Sequence, residues 1–260
     1  MSQQSSEYSE ILCHLHLFAV LPALDDLLKN VPEARRILGN RNFTISISVK
    51  NGPKAIFSIG EGRCLLNESR PHEAGVHFFF QSSNHFNRLL QGRPVLPGIE
   101  FKTWSPDSLI TFLRLLNLLR KYLRPRGLLS HDANFRDNHV RLLLGIAFFG
   151  LRQLAELEEV SQRRMLEVPS GLALFTIDGG DLAAWAQWNG HHITAGKGIP
   201  DTQPDVKISF KNAEVAYLAL SERLDPMASV GLQQIKAEGL LPLADGLSFI
   251  IERIPRYLSV

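Results

Sequence analysis

The sequence predicts an α+β fold built twice in one chain. Three observations carry that reading. Alternating apolar runs punctuated by Gly-containing turns cluster at residues 44–104 and again at 172–238, and a long apolar-faced helical stretch follows each cluster. The landmarks of the two clusters also keep a nearly constant spacing: Gly62 matches Gly190 at 128 residues, Phe80 matches Phe210 at 130, and Pro106 matches Pro242 at 136. Slowly growing offsets are what a duplicated unit with small loop insertions leaves behind, and such self-similarity sets the architecture before any single element is read.

Taken in order, residues 9–38 have helical spacing interrupted at Pro22 and Pro32, because proline lacks the amide proton that an inner helical turn needs. Residues 44–49 alternate as a first strand, Asn51-Gly52 turns the chain, 55–59 form a second strand, Gly62 the next turn and 63–66 a third strand. A loop over 67–75 leads to a fourth strand at 76–80. There Phe78, Phe79 and Phe80 are consecutive, so both faces of the strand are apolar and each needs a cover. Residues 84–90 read as a short helix, 99–104 as a fifth strand, and Pro106 starts a helix to about Leu123. Residues 140–164 read as one long helix, apolar in its first half and charged in its second.

The second cluster repeats that order. Strands fall at 172–177, 182–188, 191–195 and 206–210, a helix at 213–224, a fifth extended segment at 231–238, and a last helix at 243–258. In that last helix Leu243, Leu247, Ile250, Ile251, Ile254 and Leu258 recur three and four apart, which makes one apolar face. Asn189-Gly190 between two strand-like runs signals a hairpin, since both positions of such a turn need positive φ. The resulting partition is a first lobe at 1–126 (helical preamble 7–39, sheet and helices 40–126), a helical connector at 127–170, and a second lobe at 171–260.

Composition excludes several classes. With 45% hydrophobic and 21% charged positions in 260 residues, the chain is globular, neither disordered nor fibrous. Twenty-eight Lys and Arg against 26 Asp and Glu leave a net charge of +2, which gives no global electrostatic reason to expect nucleic acid. Cys13 and Cys64 are too few for a disulfide framework or a cysteine-rich zinc module, and they fit a reducing compartment. The apolar stretch at 11–24 is broken by His14, His16 and Pro22 and preceded by Glu7 and Glu10, which is unlike a signal peptide. A cytoplasmic protein is expected.

Within the second repeat, specific residues carry a resemblance. Pro204-Asp205-Val206-Lys207-Ile208-Ser209-Phe210, a helix exit at Leu224-Asp225-Pro226-Met227-Ala228, and Gly231, Ile235 and Gly239 ahead of the last helix resemble the sterol carrier protein type-two family of lipid-binding domains. Trp185 and Asn189-Gly190 sit where that family tends to carry a Trp-containing strand and a turn. The resemblance covers 171–260 well and 40–125 less well, where Gly75-Val76-His77-Phe78-Phe79-Phe80 replaces the Pro-Asp-Val strand and Gly92-Arg93-Pro94 the helix exit. It implies, in each lobe, a five-stranded, mostly antiparallel sheet covered by helices, with an apolar cavity for a fatty acyl chain, sterol or other lipid.

Candidates for the ligand lining in the second lobe are Phe175, Trp185, Trp188, Ile208, Phe210, Leu218, Met227 and Ile250, with Phe57, Phe78, Phe80, Phe86, Phe101 and Trp104 their equivalents in the first. Met and aromatic side chains adapt to irregular ligands, although an ordinary packed core uses the same residues. Separately, residues 111–131 contain no Asp or Glu but hold Arg114, Arg120, Lys121 and Arg124. On a helix, Thr111, Arg114, Asn117, Lys121 and Arg124 form a narrow polar stripe beside a broad apolar arc. Such a helix suits an anionic membrane surface, or else packs its arc inward while its arginines snorkel to water.

Catalytic patterns are weak. Gly196-Lys197 is not a phosphate loop, because position 191 is His rather than Gly and Gly198 stands where Ser or Thr belongs. His191 and His192 are adjacent on an expected strand, so their side chains diverge. Cys13, His14 and His16 lack a distant partner that would complete a zinc site. The expectation is therefore a non-enzymatic lipid-binding or lipid-transfer protein with no catalytic residues, metal or cofactor. Its partners would be a lipid or fatty acid and a peripheral membrane contact, with no nucleic acid; the sequence is silent on oligomeric state. The alternative is an accessory module of an enzyme complex, for example in quinone or lipid metabolism, with no ligand of its own.

Overall fold

A computed structural model describes residues 2–67, 75–102, 106–124, 132–220 and 223–258. The chain divides into two compact units, residues 1–126 and 127–259. The first begins with α1 (Ser2–Leu15), one π-helical turn (His16–Val20), α2 (Ala23–Asn30) and α3 (Pro32–Leu38). Val31 is extended, as a residue preceding proline is pushed to be, so α2 stops there and Pro32 opens α3. Leu15, Leu17, Leu24, Leu27 and Leu28 are fully buried. By length and composition residues 6–30 are apolar enough to cross a membrane, yet 83% of that apolar window is buried within the protein.

The sheet of this unit comprises β1 (Phe43–Val49), β2 (Lys54–Gly60), β3 (Arg63–Asn67), β4 (Val76–Phe80) and β5 (Gly98–Phe101) in the order β3-β2-β1-β4-β5. β1 and β4 run parallel, and the other three pairings are antiparallel. α4 (Ser83–Leu90) joins β4 to β5, and α5 (Pro106–Leu123) follows β5. Gly60 pairs with Arg63 across a two-residue turn in which Glu61 and Gly62 both have positive φ, the geometry whose twist matches the flanking strands. Register places Ile45, Ile47, Val49, Phe57, Val76, Phe78 and Phe80 on one face. Helices cover it: the Phe80 and Phe86 rings meet edge-on at 5.0 Å, and Phe78 lies 6.0 Å from Phe112 of α5. Phe79 falls on the other face, with Thr44, Ser46, Ser48 and His77.

The second unit begins with α6 (Ala133–Leu157) and α7 (Glu159–Met165). One continuous helix over 140–164 is not what forms. Asp132 caps α6 by accepting from the Phe135 amide at 3.0 Å, so it starts earlier, and extended backbone at Glu158 breaks it. The sheet consists of β6 (Gly171–Ile177), β7 (Ala183–Trp188), β8 (Ile193–Lys197), β9 (Val206–Phe210) and β10 (Ile235–Gly239) in the order β10-β9-β6-β7-β8. This repeats the topology of the first sheet, again with one parallel pair, β6 with β9, and three antiparallel ones.

α8 (Ala213–Leu220) and α9 (Pro226–Gly231) link β9 to β10, and α10 (Leu241–Ile251) and α11 (Ile254–Leu258) end the described chain. The helix expected over 243–258 divides because Pro255 cannot donate into a continuing ladder. The strand expected over 231–238 starts at Ile235, since Asp225 caps α9 through the Ala228 amide at 3.1 Å and keeps that segment helical. Of the Asn189-Gly190 pair only Gly190 has positive φ. Asn189 instead accepts the His191 and His192 amides on Oδ1, at 2.9 and 2.8 Å, within a four-residue loop. Gly239, at φ 104°, ends β10 where a Cβ would stand 2.1 Å from the Asp205 carbonyl oxygen, so no larger residue fits.

Candidate functional site

The lipid-lining candidates divide by strand parity. On β6 the odd-numbered residues face one way, and register carries that face across the sheet: Ala173 opposite Val206, Phe175 opposite Ile208, Ile177 opposite Phe210, and Gly171 opposite Trp188. Phe175, Trp188, Ile208 and Phe210 therefore share one face, and all four are buried. α6 covers it: Phe148 meets the Phe175 ring edge-on at 4.8 Å, and the Lys197 ammonium sits 5.0 Å over the Phe149 ring. Ile250 of α10 is fully buried. The Trp188 indole donates to the Val168 carbonyl at 3.1 Å, which fixes the ring and satisfies its one polar atom.

Trp185 is on the opposite face. It pairs with Leu174 and Gly196, and its ring lies so close to Gly196 that a Cβ there would stand 2.5 Å away. Residues three apart in a strand point to opposite sides, so Trp185 and Trp188 do not line one space. Leu218 is on α8 and partly exposed, and the Met227 side chain lies outside the described residues. α8 carries one charged residue, Glu214, in the sequence AEVAYLAL. Its Val215 and Ala216 are buried, while Tyr217, Leu218, Ala219 and Leu220 stay partly exposed. Beyond α8, Val230 is 53% and Leu232 68% exposed.

In the first unit, Phe57, Phe78, Phe80 and Phe86 are buried on the helix-covered side, Phe101 is partly exposed, and Trp104 lies outside the described residues. A cavity of about 520 Å³ opens between α1, α4 and the β1–β2 turn. Its walls mix the polar Ser9, Lys50, Asn51, Ser83, Asn84 and Asn87 with Tyr8 and Leu12, whereas an acyl chain needs predominantly apolar walls. Behind it Asn87, buried, donates to the Ser9 carbonyl at 2.7 Å and faces His16 Nδ1 through Oδ1 at 3.0 Å. Burial pushes the His16 pKa down to about 4 and the Cys13 thiol up to about 12. His14 turns aside to stack near Phe18, so Cys13, His14 and His16 do not converge. Among the described residues no three His, Cys, Asp or Glu side chains gather as a metal site.

One polar chain was not anticipated from sequence. On the face of the first sheet opposite the Phe57–Phe78–Phe80 cluster, where Ser46 and Ser48 are buried, Ser48 Oγ lies 2.7 Å from His77 Nε2, and His77 Nδ1 lies 3.4 Å from Glu100. The order is that of a hydroxyl–imidazole–carboxylate relay, but the imidazole–carboxylate step is long and its Glu100 side chain is 80% exposed. Acyl transfer also needs donors for the oxyanion, and β1 spends its amides on β2 at one side and β4 at the other. The signal for this chain was available, since Ser46 and Ser48 recur with the period of the strand.

On α5, Arg114, Arg120, Lys121 and Arg124 are all exposed. Lys121 approaches Glu33 at 3.7 Å, and the Arg120 guanidinium lies against Gly92. Thr111, expected in the same polar stripe, is buried.

No protein-family model and no curated protein matches the sequence. The fold is similar to solved structures. One is a conserved hypothetical protein of Thermus thermophilus described as a candidate sterol carrier protein, with 16% identity over 41% of this chain and 82% of that one and a TM-score of 0.33. Another is sterol carrier protein 2 of Yarrowia lipolytica in its apo form, with 14% identity over 39% of this chain and 91% of that one and a TM-score of 0.30. A third is the sterol carrier protein domain 2 of Helicoverpa armigera, with 19% identity over 40% and 81% of the two chains and a TM-score of 0.29. Each match spans about two fifths of this chain.

Proposed function

We propose that the second unit is a non-catalytic lipid carrier, holding a fatty acyl chain, sterol-like or other apolar ligand between the Phe175–Ile208–Phe210 face of its sheet and the helices above it. The observation that carries this is α8. A helix that is apolar on nearly every side belongs in an interior, yet only Val215 and Ala216 of α8 are buried and the segment after it presents Val230 and Leu232 to solvent. Apolar surface left uncovered at the edge of an apolar interior suits a mouth. Each methylene that leaves water there gains about 0.8 kcal/mol, so a long chain needs no polar anchor to bind. Phe175, Trp188, Ile208, Phe210 and Ile250 would form the floor and roof, with Leu218 and Met227 at the entrance; Trp185 is left out of the site. The carrier would work in the cytoplasm, consistent with two buried free cysteines, and would meet a membrane to load and unload.

Placing a charge at the entrance tests this. Leu218→Asp is expected to weaken binding of a fluorescent fatty acid by at least about tenfold, the factor that ~1.4 kcal/mol produces, with unfolding behaviour little changed because Leu218 is partly exposed. A parent protein that fails to bind the probe contradicts the reading. It would favour the accessory-module alternative, which draws on the edge-on Phe148–Phe175 contact and the satisfied Trp188 indole as signs of a filled interior.

A further inference from the structure

The exposed side of α5 carries one continuous stripe that opens with the acidic Asp107 and is apolar and basic from Ile110 onward. Ile110, Leu113, Arg114, Asn117, Arg120, Lys121 and Arg124 are all exposed and recur three and four apart. Ile110 is 47% and Leu113 50% exposed. The segment from Gly92 to Ile99 widens the stripe. Gly92 abuts the Arg120 guanidinium. At its other end Ile99 pairs with Phe78, whose ring lies 6.0 Å from Phe112. The segment therefore runs along the flank of α5, presenting Leu96, which is 91% exposed, and Arg93. Among the described residues neither Arg114 nor Arg120 has an ion-pair partner, whereas Lys121 has Glu33.

We infer that this face docks the protein on an anionic lipid surface, with Leu96, Ile110 and Leu113 entering the headgroup–acyl boundary and Arg93, Arg114 and Arg120 meeting lipid phosphates. Charge complementarity selects that occupant. Large apolar side chains are costly to leave in water and have nothing to gain from a polar partner, and a rim of exposed arginines matches an anionic interface. The inference rests on the carrier reading for its purpose only, because the binding itself does not require a loaded interior.

Co-sedimentation of the full chain with vesicles tests it, comparing phosphatidylcholine alone with phosphatidylcholine containing phosphatidylglycerol. Binding is expected to the anionic vesicles and to fade as salt rises. Arg114→Gln and Arg120→Gln should each weaken it about fivefold, Leu113→Gln by a similar factor, and Arg114→Lys should retain it. Lys54→Gln, an exposed lysine at the start of β2 on the other side of the sheet, should leave it unchanged. Equal binding to neutral vesicles, no binding to either, or Arg114 and Leu113 variants that bind as the parent does would overturn the inference. So would a dimer in sedimentation that these variants abolish while vesicles are ignored, since the face would then serve a second copy. Lipid extracted from a protein that ignores vesicles would refute docking while leaving the carrier reading intact.

Discussion

Burial of the His16 imidazole lowers its pKa from 6.5 to about 4, and the bond to Asn87 only partly offsets that. Because Asn87 donates its amide to the Ser9 carbonyl, its Oδ1 must face His16, so Nδ1 carries the proton and donates. The unfolded chain takes up a proton near pH 6.5 and the folded one does not until about pH 4. Stability from this group is therefore complete above pH 6.5 and lost as pH falls toward 4, by roughly 3 kcal/mol in all. Urea unfolding followed across that range should show the loss in the parent and a flatter profile in His16→Gln. Residues of this kind are only half legible in sequence. That His16 sits in an apolar run is plain; its partner, 71 positions away, is not. Trp185 teaches the converse, since strand parity alone separates it from Trp188, and position on the strand decides more than residue type.

At the scale of elements, the strands at 76–80 and 206–210 were legible because alternation and flanking turns are local. The break between α6 and α7 was not, because its cause is distant. Glu158 is buried, which by itself would raise its pKa, but hydrogen bonds from Arg253, Ser161 and Tyr257 outweigh burial and hold the carboxyl below its ordinary value. Arg253 makes two bonds at 2.7 Å and Tyr257 a third at 2.7 Å. The network pins the α6–α7 bend to the C-terminal helices, so the chain gives up one continuous helix to form it. Glu158→Gln strips the charge from the centre of this cluster and leaves Arg253 uncompensated, which should cost about 3–5 kcal/mol in chemical denaturation. The parent's own contribution is present above the ordinary carboxylate pKa and is lost as pH falls through the lowered one. A Glu158→Gln protein as stable as the parent would mean the network does not hold the bend.

On the scale of the whole molecule, the duplication was the most legible feature, because two sheets of identical strand order must repeat their turns in the same sequence. Gly62 and Gly190 mark equivalent turns, both at positive φ, although the residues around them solve the turn differently. Each unit has its own sheet and its own buried aromatic cluster, so residues 1–126 and 127–260 made separately should each unfold cooperatively; a piece that stays unfolded would contradict two self-sufficient cores. What local patterns could not reveal is whether an apolar interior is filled by its own side chains or by cargo, since both use the same residues. Native mass spectrometry of the freshly purified full chain, followed by organic extraction, tests the carrier claim most directly. Lipid bound at stoichiometric amount is the predicted result. Protein that flies bare, yields no extractable lipid and fails to bind a fluorescent fatty acid would contradict it.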